Sequence, residues 1–127
     1  MDLLIDGLIV EPMEHPYEIS IINDKDIMGF HLVDDIDEPC EIKIMKISTS
    51  ACVIYNKYAV LSCKNANRMI NNAIVAGNFY IAGINNQGKL VSLTKKQKEK
   101  YIKKFWEIET YDEDEIIDAY LDSLFDM

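Results

Sequence analysis

Apolar residues dominate positions 3–10, broken only by Asp6-Gly7, and predict a first strand. Glu11-Pro12 and His15-Pro16 mark a turn-rich connection, since each proline fixes φ and restricts the residue before it. Residues 17–22 alternate well enough for a second strand. Asn23-Asp24 offers a helix cap, with Ile27, Phe30 and His31 at helical spacing, so a short helix over 24–33 is expected, weakened by Gly29. Cys40, Ile42 and Ile44 then alternate with Glu41, Lys43 and Met45, the period of a strand with one buried face. The alternation slips at 45–47, where a bulge or bend fits. Two further apolar runs, 51–55 and 58–63, flank Asn56-Lys57 and predict a tight hairpin. Residues 64–72 are polar and asparagine-rich and read as a loop with up to one helical turn. A long strand follows over 75–84, its partner at 90–93. Gly88 supplies the positive φ that closes the connection between them.

Helical signals return at the C-terminal end. Thr94-Lys95-Lys96-Gln97 has the capping-box form, in which the Thr oxygen and the Gln side chain each satisfy a free backbone N–H. The helix it opens places Tyr101, Ile102 and Phe105 on one stripe, with Trp106 at its edge. Thr110-Tyr111-Asp112-Glu113 resembles a second box and predicts a last helix with an acidic first turn, suited to the positive end of the helix dipole. Its apolar face is Ile116, Ile117, Tyr120, Leu121, Leu124 and Phe125. These elements sum to an α+β fold: a small antiparallel sheet of about five strands, one short early helix and two C-terminal helices. The domain covers 1–106, and 107–127 form an acidic amphipathic helical tail packed on it.

Composition narrows the function classes. The chain has 127 residues, 49% hydrophobic and 28% charged, a balance that suits one globular domain with its own core. Acids outnumber bases 22 to 13, for a formal charge of -9. Affinity for a phosphate backbone comes from cations that release counterions, so direct nucleic-acid binding is not expected. A basic protein is the more natural partner. No apolar run reaches the length that spans a bilayer, and no cationic leader opens the chain, so neither a membrane nor export is expected. The three cysteines, Cys40, Cys52 and Cys63, sit among apolar or β-branched neighbours at spacings that match no zinc pattern. Reduced, buried thiols in a cytoplasm are the expectation, with no metal and no cofactor.

The blocks Ile9-Val10-Glu11-Pro12, Val53-Ile54-Tyr55-Asn56, Ala59-Val60-Leu61, Asn67-Arg68 and Val75-Ala76-Gly77-Asn78-Phe79-Tyr80-Ile81-Ala82-Gly83 follow one another along the chain. Gly88, Val91-Ser92-Leu93-Thr94, Gln97 and Tyr101 complete the series. Taken in this order they resemble a family of small phage- and mobile-element-encoded proteins catalogued as domain of unknown function 3846. The resemblance covers residues 8–105. It lapses over 29–38, acidic here where the family tends to a Gly-rich turn, and the tail after Trp106 lies outside it. It implies a mobile-element setting in which small accessory and anti-defence proteins are common, with no established activity.

Charge is segregated. Residues 95–104 hold six of the twelve lysines and one acid, whereas 105–127 hold nine acids and no base. The lysine helix is read either as a contact for an acidic partner or nucleic acid, or as a solvated face neutralised by the tail. The tail reads as a docking helix for a basic groove, as a solubilising end, or as an oligomer contact. Its candidate partner-binding residues are Glu107, Glu109, Asp112, Glu113, Asp114, Glu115, Asp118 and Asp122. Asn65, Asn67 and Arg68, the only arginine, could line a small polar ligand pocket, because a guanidinium suits bidentate contacts to carboxylate or phosphate. The competing reading is a turn whose asparagines satisfy their own backbone and whose arginine meets a local acid. No nucleophile–base pair, phosphate loop or zinc-protease motif is present, so no catalytic residue is assigned and an enzyme is not expected. The expected function is inhibition of a host nucleic-acid-processing defence protein, a CRISPR effector or restriction enzyme with a basic surface. Sequestration of a nucleotide signal and self-association as a homo-oligomer are the alternatives.

Overall fold

The computed structural model describes residues 4–24, 28, 32, 40–59 and 66–125, with 123–125 described by backbone course alone. Its strands are β1 (Leu4–Val10), β2 (Tyr17–Ile22), β3 (Ile42–Lys46), β4 (Ala51–Asn56), β5 (Ala66–Ile70), β6 (Ala73–Ala76), β7 (Phe79–Ile84) and β8 (Leu90–Val91). Two C-terminal helices follow, α1 (Lys95–Lys104) and α2 (Glu113–Phe125). The expected α+β architecture is present, with one more strand in the main sheet than expected. That sheet is antiparallel, in the order β2-β1-β7-β4-β3, with β8 continuing the β1 edge of β7 at Gly83 and Ile84. A second sheet of two strands pairs β5 with β6.

The central strands read as unbroken apolar runs because both faces of the sheet are covered. Along β7 the side chains alternate between two cores. Phe79 and Ile81 join Leu8, Val10, Ala51 and Val53 under Tyr101 and Phe105 of α1 and Ile70 and Val75 of the small sheet. Tyr80, Ala82 and Ile84 join Ile5, Ile9, Ile21, Cys52 and Ile54 on the opposite face, under Met28 and Leu32. The helix expected over 24–33 lies largely outside the described residues. Within it, Met28 N–H donates to Asp24 O and Leu32 N–H to Met28 O, the spacing of successive helical turns.

Three expectations are corrected. The hairpin about Asn56-Lys57 does not form on β4, because β3 and β7 already occupy its two edges. Instead Asn56 Oδ1 accepts from the N–H groups of Glu41 and Tyr58 and closes the β3–β4 ladder; residues 60–63 lie outside the described residues. The asparagine-rich stretch is no loop: Ala66–Ile70 is a strand, turning at Asn71 and Asn72, whose φ values of 50° and 68° are those of a type I′ hairpin. The strand expected over 75–84 is two strands in different sheets, separated at Gly77 with φ 70°.

The capping box at Thr94 forms as expected, and Tyr101 and Phe105 bury α1 against the sheet. Phe105 meets Phe79 edge-on, with ring centroids 5.7 Å apart. The second box is displaced by two residues. Asp112, not Thr110, caps α2, its Oδ1 accepting from Glu115 N–H at 2.8 Å.

Gly7 marks the point where β1 leaves β7. Leu8 still pairs with Ile81, whereas Asp6 N–H already donates to Ser92 Oγ and Asp6 O accepts from Leu93. A Cβ at Gly7 would stand 2.5 Å from Ile81 O and 2.6 Å from Ile21 Cδ1. Since one obstacle is backbone, Gly7→Ala is expected to cost about 1–3 kcal/mol in urea unfolding while preserving the fold.

Candidate functional site

Asn67 and Arg68 sit on β5, in the strand that replaces the expected turn, and both side chains are fully buried. The geometry of Arg68 shows what its charge does. Nε and Nη2 donate to Phe105 O at 3.2 and 3.0 Å. Nη2 also donates to Glu14 O at 2.9 Å, and Nη1 donates to Asn67 O and Oδ1 at 3.1 and 2.9 Å. A guanidinium has five N–H donors, so this set uses all of them. Phe105 is the C-cap of α1, and a cation there meets both the free carbonyl and the negative end of the helix dipole. Burial pushes the pKa of Arg68 down, opposed by the nearby Glu109 and Tyr111.

Asn67 completes the junction. Its Nδ2 donates to Val10 O and Gly77 O at 2.9 and 2.8 Å, joining the small sheet to the end of β1 and to the β6–β7 break. This leaves no guanidinium donor for a ligand. Both readings of the pair therefore change: the pocket loses its anion-binding group, and the arginine's hydrogen bonds go to carbonyl and amide oxygens, with Glu109 only a neighbouring charge. Asn65, the third member of the proposed pocket, lies outside the described residues.

The acids of the tail divide into two groups. Glu109 is half-buried and accepts from Met69 N–H at 3.0 Å, covering the outer edge of β5, and it also accepts from the Tyr111 hydroxyl. Burial, then that bond and the Glu109 charge, push the Tyr111 pKa well above its usual range. Asp112 caps α2. Glu107, Glu113, Asp114, Glu115, Asp118 and Asp122 are exposed. Among the described residues no α1 lysine lies within ion-pair distance of a tail acid; Lys98 meets Glu18 of β2 at 3.0 Å, worth about 0–1 kcal/mol.

A sequence reading placed the apolar face of α2 against the domain. In the structure α2 touches β6, yet Ile116, Ile117, Tyr120 and Leu121 are 39–47% exposed. A half-open apolar stripe flanked by acids is therefore presented to solvent. Sequence periodicity finds the stripe but not its exposure, which depends on how little of the small sheet α2 meets.

A family model described as Domain of unknown function (DUF3846) matches residues 5–106. The chain belongs to this family. The match ends at Trp106, so α2 lies beyond the matched residues. No curated protein and no solved structure matches the chain. No helix among the described residues is long and apolar enough to cross a membrane. Among the same residues, no group of three or more His, Cys, Asp or Glu side chains is placed to hold a metal ion.

Of the cysteines, Cys40 is exposed rather than buried, Cys52 is buried in the sheet and Cys63 lies outside the described residues. Burial pushes the Cys52 thiol up to about 11 from 9.0. Its contribution to stability is whole below pH 9 and is lost as the pH climbs through 11, because the unfolded chain releases the proton first. Iodoacetamide near neutral pH should label Cys40 in the native protein and Cys52 only after denaturation, as mapped by peptide mass.

Replacing Arg68 by Met keeps much of the volume but strips donors from the oxygens of Phe105, Glu14 and Asn67. Unfolding by urea should show a loss of about 3–5 kcal/mol. Arg68→Lys should recover only part of it, since an ammonium has three donors and no planar fork.

Proposed function

We propose that this chain is a non-enzymatic inhibitor that binds a host nucleic-acid-processing defence protein through α2 and its acidic flanks. A CRISPR effector or restriction enzyme is the target class, because its nucleic-acid channel is basic. One observation carries the reading: α2 leaves Ile116, Ile117, Tyr120 and Leu121 half-exposed on a segment with acids and no base. An amphipathic helix of this kind fits an apolar groove through residues one turn apart. Asp114, Asp118 and Asp122 recur every four residues, a row of charge with a rise of about 6 Å between neighbours. Such a row suits a channel that evolved to hold phosphates, and complementary charge raises the encounter rate as well as the affinity.

The alternatives draw less support. Sequestration of a nucleotide would need a free guanidinium, and Arg68 has none. Pairing α2 with α2 of a second copy would align two uniformly acidic segments, so like charges oppose that dimer.

Reversing Asp114, Glu115, Asp118 and Asp122 to lysine should weaken retention of the basic target at least tenfold in a host-lysate pull-down. Because these side chains are exposed, the sheet should persist, and circular dichroism should lose no more than the helical signal of the first turn of α2, where Asp114 and Glu115 face the helix dipole. Retention by the wild type should also fall steeply as salt rises. A variant that retains the same protein equally well removes this function.

A further inference from the structure

Outside α2, several observations converge on the surface made by the β1–β2 connection and the α1–α2 linker. Trp106, the only tryptophan, is 48% exposed but firmly held. The His15 ring stacks on it with centroids 3.8 Å apart and planes 3° from parallel, and His15 Nδ1 lies 2.7 Å from Trp106 O. Arg68 bonds the residues just before each of them, Glu14 O and Phe105 O, so one buried guanidinium fixes both halves of the stack.

Exposed apolar side chains lie on the segments that meet at this fixed point. Met13, on the connection that carries His15, is 57% exposed and holds φ 65°, a conformation that costs a non-glycine residue energy. Met69, next to Arg68, is 45% exposed, with its amide held by Glu109. Ile108 is exposed between Trp106 and that tether. The surface leads towards α2, since Glu109 ties the linker to β5 and α2 touches β6, the partner of β5. Charged neighbours in sequence are Glu11, Glu14, Glu107 and Glu109 against Lys103 and Lys104. Acids prevail, and towards α2 they are unopposed.

A large aromatic held rigid before binding loses little entropy on contact, which is the property of an interface anchor. We propose that Trp106, with Met13, Met69 and Ile108, anchors the partner surface and receives a cationic amphipathic segment of the bound protein. An apolar side chain of that segment lies on the open part of the indole, and its lysines or arginines meet Glu14 and Glu107. This rests on the reading of α2 as a partner-binding helix and adds a second, independent contact to it. Arg68 is then a positioning residue for the anchor.

The single tryptophan makes the test direct. A short synthetic leucine–lysine peptide, designed as a cationic amphipathic helix, is titrated into the full chain while indole emission and calorimetric heat are followed. The expected result is saturable binding with a blue shift of Trp106 emission as the indole loses water. Trp106→Ala should weaken binding about tenfold. The variant with four reversed α2 acids should bind less tightly yet show the same shift at saturation. A leucine–glutamate peptide of the same design should leave the emission unchanged.

Calorimetric binding with unshifted emission, and equal affinity for Trp106→Ala, overturns the anchor and leaves α2 as the whole surface. No binding of the leucine–lysine peptide overturns the anchor and also removes the charge argument for α2. An equal shift with the acidic peptide overturns the cationic assignment. A shift produced by raising the protein concentration alone makes a second copy the occupant and likewise overturns it.

Discussion

Five N–H groups on one guanidinium must find acceptors away from water, and the way Arg68 does so determines how three separate segments meet. An unpaired charge in that position would cost several kcal/mol, so the surrounding oxygens are as constrained as the cation. The C-terminal carbonyl of α1, the carbonyl of Glu14 and the Asn67 amide are all held by the one group. Asn67 carries the tie onward to Val10 and Gly77. The small sheet, the end of β1, the β1–β2 connection and α1 are thereby locked at one node. Everything exposed around the node, Trp106 and His15 included, inherits that rigidity.

The node matters because β5 and β6 share with α1 the cover of one face of the main sheet. Two strands alone are marginal in water, so their hold on the domain has to come from burial of Ile70 and Val75 and from this junction. Glu109 satisfies Met69 N–H on the outer edge, so that amide is not offered to another strand. Helix α2, which starts at Glu113 shortly after that tether, is placed by this edge. Its contact with the small sheet is slight, and its apolar stripe is left largely open.

Two acids of the tail thus build the structure, through the edge contact of Glu109 and the cap of Asp112. Glu107, Glu113, Asp114, Glu115, Asp118 and Asp122 remain exposed to water. Segregation of charge follows the same division. The lysines of α1 lie away from the sheet because Tyr101 and Phe105 occupy the buried side, and the Lys98–Glu18 pair reaches back to β2 rather than forward to the tail. An acidic helix with no ion pair to a cation among the described residues keeps its charge available to another molecule, which is what the inhibitor reading draws on.

Much of the domain was legible residue by residue. Alternation and apolar runs located β1, β2, β3, β4 and β8, and the Thr94–Gln97 box located the start of α1, because these signals depend on neighbours within a few positions. Family membership was legible too, from the order of blocks between Leu8 and Tyr101. Local signals failed where a distant partner decided the outcome. Residues 66–70 look like polar loop because Asn67 and Arg68 are polar, yet tertiary acceptors on β1 and α1 make their burial possible. Gly77 divides one apolar run between two sheets, since only the assembled fold shows that β6 and β7 have different partners. The amphipathic stripe of α2 was determined by sequence alone. Its exposure was decided by tertiary structure, because burial depends on the area a neighbour offers, and the fold brings only a slight contact with β6 to this helix.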